Sequence, residues 1–210
     1  MFSLESCSKD GCTKAALTYF NEAGEMAEGP FFCIDHCPWL PDYQKTVARY
    51  IETHDKIVGL CAAGLSFSDM DFSGKKFYGC NFQHCTFSNI QSENFRARIS
   101  SFDFAIFTDC NLLKSNFRFT SLAGAVLSHT LFTNSDLIHN NFNGINAIQS
   151  SFDDSDLYNS RFIRAELNNT SFRNCNIKKT CFYEIKQENV SFKLSNTRES
   201  LFSVDEVVEE

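Results

Sequence analysis

From Phe67 to Phe202, every fifth residue is almost always large and apolar. The stretch SDLYNSRFIRAELNNTSFRNCNIKK (155–179) shows the pattern plainly, with Leu157, Phe162, Leu167, Phe172 and Ile177 five apart. Neither an α-helix nor an ordinary strand has a period of five. Of the 28 positions in this phase, sixteen are Phe, six are Leu and one is Ile, and no insertion or deletion interrupts it. Most of the chain's 23 Phe are placed by this one rule.

The residue two before each apolar centre is usually small, as at Cys80, Cys85, Ala105, Cys110, Ser115, Ala125, Ser135, Ser155, Ala165, Thr170 and Cys175. Where the centre is small or polar, that neighbour is large: Ile90 with Ser92, Phe95 with Ala97, Ile145 with Ala147, Ile185 with Gln187. Size lost at one position and restored at the other is what a close-packed interior requires. Two residues in five therefore point inward and three point out. A chain built this way turns steadily about an axis, and four units make a square coil. Stacked coils pair their backbones at the strand spacing of about 4.8 Å, so seven coils give a rod roughly 34 Å tall. The expected fold is an all-β solenoid over residues 62–202.

The units SDLIH, SDLYN, CNFQH, CNLLK and SNFRF resemble the A(D/N)LXX unit of the pentapeptide-repeat family. The resemblance implies a right-handed quadrilateral β-helix of about seven coils. The best-known members of that family resemble duplex DNA in shape and charge and bind DNA gyrase. The fold itself serves many roles, so the resemblance specifies architecture more than activity.

A coil stack leaves an apolar core open at both ends, and each end needs a cover. PDYQKTVARYIETHDKIVGL reads as a capping helix over residues 41–61, opened by Pro41 and Asp42, with Tyr43, Val47, Tyr50, Ile51 and Val58 on one face. SVDE at 203–206 reads as a capping box, with Ser203 as N-cap and Glu206 at the third position. It predicts a short acidic C-terminal helix over 203–210, in which Val204, Val207 and Val208 close the last coil or take part in a homodimer contact.

Residues 1–40 form a third unit. CSKDGC (7–12) and FCIDHC (32–37) hold four Cys and a His. Two short pairs joined by a longer loop suit tetrahedral Zn²⁺ with thiolate and imidazole ligands. The predicted ligands are Cys7, Cys12, Cys33 and His36, with Cys37 as the alternative to His36. The pattern resembles a small C-x4-C…C-x2-H zinc-finger type. A segment this short with few large aliphatics needs a staple, and a closed four-ligand shell makes the zinc structural, not catalytic. Cys80, Cys85, Cys110 and Cys175 occupy the small inward position and are expected to act as core thiols.

The charge of −7 belongs to the two ends: residues 1–61 and 203–210 carry −4 each, and residues 62–202 carry +1. The near-neutral rod disfavours a gyrase-binding DNA mimic, which needs a strongly acidic surface. No apolar stretch approaches the ~20 residues of a membrane span, and ten Cys without an export signal point to the cytoplasm. The histidines of the rod, His84, His129 and His139, stand on different faces, with no nucleophile beside them and no phosphate-binding loop in the chain, so no enzyme is expected. One surface feature suggests a partner. Residues twenty apart should stack, and Tyr78, Arg98, Arg118, Tyr158, Lys178 and Arg198 then share a column. Stacked like charges do not help folding. The column is therefore the candidate contact for a macromolecular partner, a protein by preference.

Overall fold

A computed structural model describes residues 5–202 of the chain. The capping box, Val204, Val207, Val208 and the proposed C-terminal dimer contact all lie outside these residues.

The rod is built as the five-residue phase requires. Strands of three residues recur every twenty: Ser66–Ser68, Thr86–Ser88, Ile106–Thr108, Val126–Ser128, Asn146–Ile148, Glu166–Asn168 and Lys186–Glu188 form one seven-stranded sheet. Lys56–Val58, Lys76–Tyr78, Arg96–Arg98 and Asn116–Arg118 form a second, and Gln91–Glu93 pairs with Asn111–Leu113 in a third. Every pairing is parallel and joins residue i to i+20. A fourth face is held by single bridges from Cys61 through Asn81, Ser101, Ser121, Asn141, Arg161 and Cys181 to Leu201. The result is a β-solenoid of about seven turns with one helix. For reference, the face with centres Ile57, Phe77 and Phe117 is face one, and the face with centres Ala62, Phe82 and Phe102 is face two.

Inside, the centres and the residues two before them are buried from Ile57 to Phe182. Phe rings stack along the axis: Phe132, Phe152 and Phe172 lie 5.3 and 4.8 Å apart and nearly parallel. Phe142, Phe162 and Phe182 make a second column at 4.7 and 5.1 Å, and the two columns meet edge to face, as at Phe152–Phe162 (5.6 Å, 88°). Both arrangements suit the ring quadrupole. The small inward residues also bond the backbone between coils. Ser155 donates from Oγ to the Phe132 carbonyl (2.8 Å) and accepts from the Ser135 amide (2.9 Å). Ser160 does the same for Leu137 and Asn140. Hydroxyl residues are therefore favoured there for bonding as well as for volume.

At each corner stands the residue two after the centre, in the left-handed conformation. Twenty-two such residues are not glycine, with φ between 49° and 67°. Asn, Asp, His and Gly tolerate this region best, which explains His84, His129 and His139 as corner residues.

Several expectations need correction. The helix, α1, spans Leu40–Thr53, and the first strand starts at Lys56. The coil therefore begins before residue 62, and Val58 is not on the helix but lies in that strand, 50% exposed. Tyr43, Val47 and Ile51 are the buried face of α1. Lys75, itself buried, donates from Nζ to the Glu52 carbonyl (2.7 Å) and stops the helix at its negative end. At the other end of the rod, Gln187 is exposed and Ile185 only half-buried, so that pair does not restore inward size.

Phe152→Ala or Phe162→Ala is expected to cost about 3–5 kcal/mol, the range for emptying a buried aromatic site. At the corner, Asn159 has φ 55°, so Asn159→Ala should cost about 1 kcal/mol more than Asn159→Gly. Urea titration measures each of these losses, and equal losses for Phe152→Ala and Asn159→Gly would refute the five-residue phase.

Asp153 is nearly buried on the face with centres Phe132, Phe152 and Phe172. Burial pushes its pKa up, but the Ser171 hydroxyl and the Arg173 guanidinium and amide outweigh this and hold it below the usual carboxylate value. A depressed folded pKa gives stability above the unfolded value of about 3.9, lost as pH falls through the folded value. Asp153→Asn should therefore be destabilising near neutrality, and its gap from the parent protein should shrink as pH drops below about 4, read from urea midpoints across pH.

Candidate metal centre and partner face

In the cap, Ser6 bridges Ala15, and a turn closed by the Cys12 amide on the Lys9 carbonyl (3.0 Å) brings Cys7 and Cys12 together. Gly11, with φ 74°, makes that turn possible. Strands β1 (Tyr19–Phe20) and β2 (Met26–Ala27) pair antiparallel. The chain then returns so that the Ser8 amide meets the Phe31 carbonyl (2.7 Å). A final turn, with the His36 and Cys37 amides both on the Cys33 carbonyl, swings His36 beside Cys33.

The four donor atoms of Cys7, Cys12, Cys33 and His36 lie within 4.8 Å of one another. Cys7 Sγ and Cys33 Sγ are each 3.4 Å from His36 Nδ1, and Cys12 Sγ is 3.8 Å from Cys33 Sγ. A tetrahedron with metal–sulfur bonds of about 2.3 Å has edges of about 3.8 Å, so the donor set fits one ion. The surroundings favour thiolate at Cys7. Burial raises its pKa, but the amides of Cys33 and Lys9 and the groups of His36 and Cys33 bring it down to about 6. Cys33, 1% exposed, is pushed up by burial. Cys37 is outside this cluster and lines a cavity beside α1.

None of the ten cysteines forms a disulfide. In the rod, burial pushes Cys80 up to about 11 and Cys85 and Cys175 up to about 12, which keeps them as thiols. Cys85 donates from Sγ to the Ala62 carbonyl (3.0 Å). Cys61 belongs to the junction of cap and rod: its amide bonds Thr18 Oγ1 (2.8 Å) and its carbonyl accepts from the Thr18 amide (2.9 Å). Leu17 joins the same buried core as the coils. Cap and rod are one packed body, not two separate cores.

The proposed partner column is present but uneven. Backbone pairing places Tyr78, Arg98 and Arg118 in line. The Ile99, His139 and Asn159 amides meet the carbonyls of Arg118, Tyr158 and Lys178, which continues the column. Arg198 leaves it. A 3-10 turn over Thr197–Glu199 shifts the chain by one residue, so the Lys179 amide meets Glu199 instead. The cations are also paired: Arg118 with Asp136, Lys178 with Glu199 (2.8 Å), while Arg98 donates to Asn116 Oδ1 (2.9 Å). The column is thus not a free basic stripe.

Sequence periodicity alone missed three apolar corner residues, Ile99 and Phe119 beside this column and Phe104 on the other edge of face two. Ile99, Phe104 and Phe119 are 66, 57 and 62% exposed, with φ of 51°, 58° and 54°. Phe119 stacks on His139 (5.0 Å), which meets Tyr158 edge-on (5.7 Å). Phe104 stacks on His84 (5.2 Å) and lies over Gly124, where an added Cβ would come within 2.6 Å of its ring. The signal available in the sequence was Ile and Phe at a position otherwise rich in Asn, Asp, His and Gly.

A family model described as a pentapeptide repeat region matches residues 125–202, and one described as pentapeptide repeats (8 copies) matches 100–137. Together the two models span residues 100–202, which are similar to the pentapeptide-repeat family. Solved structures with the same architecture include QnrB1, a plasmid-mediated fluoroquinolone resistance protein, at 19% identity and a TM-score of 0.52, covering 70% of this chain and 81% of that one. A pentapeptide repeat protein from the cyanobacterium Cyanothece 51142 is 13% identical with a TM-score of 0.44, over 75% of this chain and 99% of that one. One from the Arabidopsis thaliana thylakoid lumen is 22% identical with a TM-score of 0.36, over 49% and 68%. At 19% identity the likeness to QnrB1 is one of fold. No curated protein matches the sequence significantly. Among the described residues no helix is long and apolar enough to cross a membrane.

The donor geometry leads to an expected content of one divalent ion per chain by elemental analysis. Cys7→Ser with Cys12→Ser should abolish it, and Cys37→Ser should leave it unchanged. Chelation should speed amide exchange at Thr18 and Cys61 while the coils from Phe102 onward stay protected. An ordered, metal-free cap would overturn the assignment.

Proposed function

We propose that this chain is a non-enzymatic interaction module, a pentapeptide-repeat rod that binds a protein partner across face two and the corners on either side of it. Ile99, Phe104 and Phe119 carry the reading. A β-branched or bulky residue in the left-handed region costs about 1–2 kcal/mol, and a side chain left mostly exposed returns only part of that on folding. Binding is a reason to keep it. Arg98, Arg118, His139, Tyr78 and Tyr158 flank the apolar residues, and aromatic and Arg side chains are those that dominate protein–protein contacts. Lys178 lies further along the column of Tyr78 and Arg118.

The cap completes the module. Three cysteines and one histidine in a closed donor set suit zinc held as a structural ion. The ten unpaired thiols fit a reducing compartment, the cytoplasm. A gyrase-binding DNA mimic is the weaker alternative. The rod is near neutral, and its carboxylates at Asp103, Asp136 and Asp153 are engaged by internal donors.

The test is a triple variant, Ile99→Asn, Phe104→Asn and Phe119→Asn. Its stability should equal or exceed the parent's by roughly 0.5–1 kcal/mol per site, since Asn accepts the backbone conformation. Proteins captured by the parent from the source cell should be lost with the variant and retained with Asp154→Asn, on a different corner. A variant that unfolds like a core mutant, or keeps every captured protein, would sink the reading.

A further inference from the structure

A cavity of about 230 Å³ opens between the cap and the start of α1. The rings of Tyr19, Phe20, Phe32, Trp39 and Tyr43 line it, and Asp42 is the one ionised side chain in the lining. Trp39 and Phe32 meet edge to face, at 89° with centroids 5.8 Å apart. Phe20 and Tyr43 form another pair at 61° and 5.9 Å, and Tyr43 is fixed by its hydroxyl on the Thr18 carbonyl (2.7 Å).

Trp39 is not explained by folding alone, and Asp42 does more than open the helix. Trp39 stands at the N-cap of α1 yet makes no side-chain cap bond, and it is 44% exposed. Ser, Thr, Asp or Asn would serve that position better. Asp42 is 83% exposed and paired only with Lys45 at 3.4 Å, a contact worth little. Its charge offsets the positive end of the helix and would repel an anion there. The surrounding residues, 5–54, carry eight carboxylates against four Lys and Arg.

We infer that this cavity binds the trimethylammonium type of organic cation. Ring faces attract a cation through their quadrupole, and quaternary ammonium groups are recognised by aromatic walls of this kind. The volume is below the ~300–1,000 Å³ of drug-sized pockets and suits a single head group. Asp42 supplies the complementary charge at the mouth. The site is separate from the metal ligands and from the Ile99–Phe119 edge.

The chain's single Trp is the reporter. Choline, and a peptide bearing trimethyllysine, are titrated into the full chain while Trp emission is followed. Saturable change with either supports the assignment, and the stronger of the two names the source of the cation. The uncharged isostere of choline, with a tert-butyl group in place of trimethylammonium, should bind about fivefold or more weakly. Asp42→Asn should weaken choline about two- to fivefold with an unchanged circular dichroism spectrum. No saturable change with either cation, or equal binding of the isostere, would overturn it.

Discussion

Everything in the rod depends on a backbone that turns a corner every five residues, and each corner depends on one residue in the left-handed region. From Asp69 to Leu194 that residue follows each centre by two positions. It aims the next three residues along a new face and sends the centre back inside. The inward Phe columns, the cross-coil Ser and Cys bonds and the i to i+20 pairing are consequences of this repeated turn. Hydrophobic burial supplies the driving force, but corner geometry decides which side chains are buried.

The interior was legible because close packing writes itself into residue size. Phe at the centre with Ser or Cys two before it, or Ala97 with Phe95, identifies both inward positions without a structure. The cluster of Cys7, Cys12, Cys33 and His36 was legible because thiolate and imidazole donors for one ion need short spacings that ordinary core thiols do not. The boundary of the rod was less so. Ile57 fits the phase, but the helical pattern running into it from Ile51 has the same apolar character, and only the backbone pairing of Lys56 with Lys76 separates them.

The outer surface was read least well, for a physical reason. Periodicity states which residues are neighbours and says nothing about their side-chain partners. Arg118 and Asp136 are eighteen apart, on adjacent coils, so a column of cations counted at intervals of twenty overlooks the carboxylate beside it. Arg198 fell out of line because Asn196 Oδ1 accepts the Ile177 amide (2.7 Å) and pulls the last turn into a 3-10 form. Ile99 and Phe119 looked unremarkable as apolar residues and become informative only with their φ angles known.

The stacking of identical units gives the rod an unusual relation between sequence length and surface. Removing one five-residue unit leaves the core chemistry intact, because another centre slides into each vacated place. Every residue downstream, however, rotates by a quarter turn onto the neighbouring face. If the unit removed lay between Phe119 and Asp136, Arg118 would lose Asp136 and Phe119 would part from His139. The interior tolerates a slip of phase that the exterior does not. The unbroken run of 28 units therefore preserves a pattern of faces at least as much as it preserves a fold.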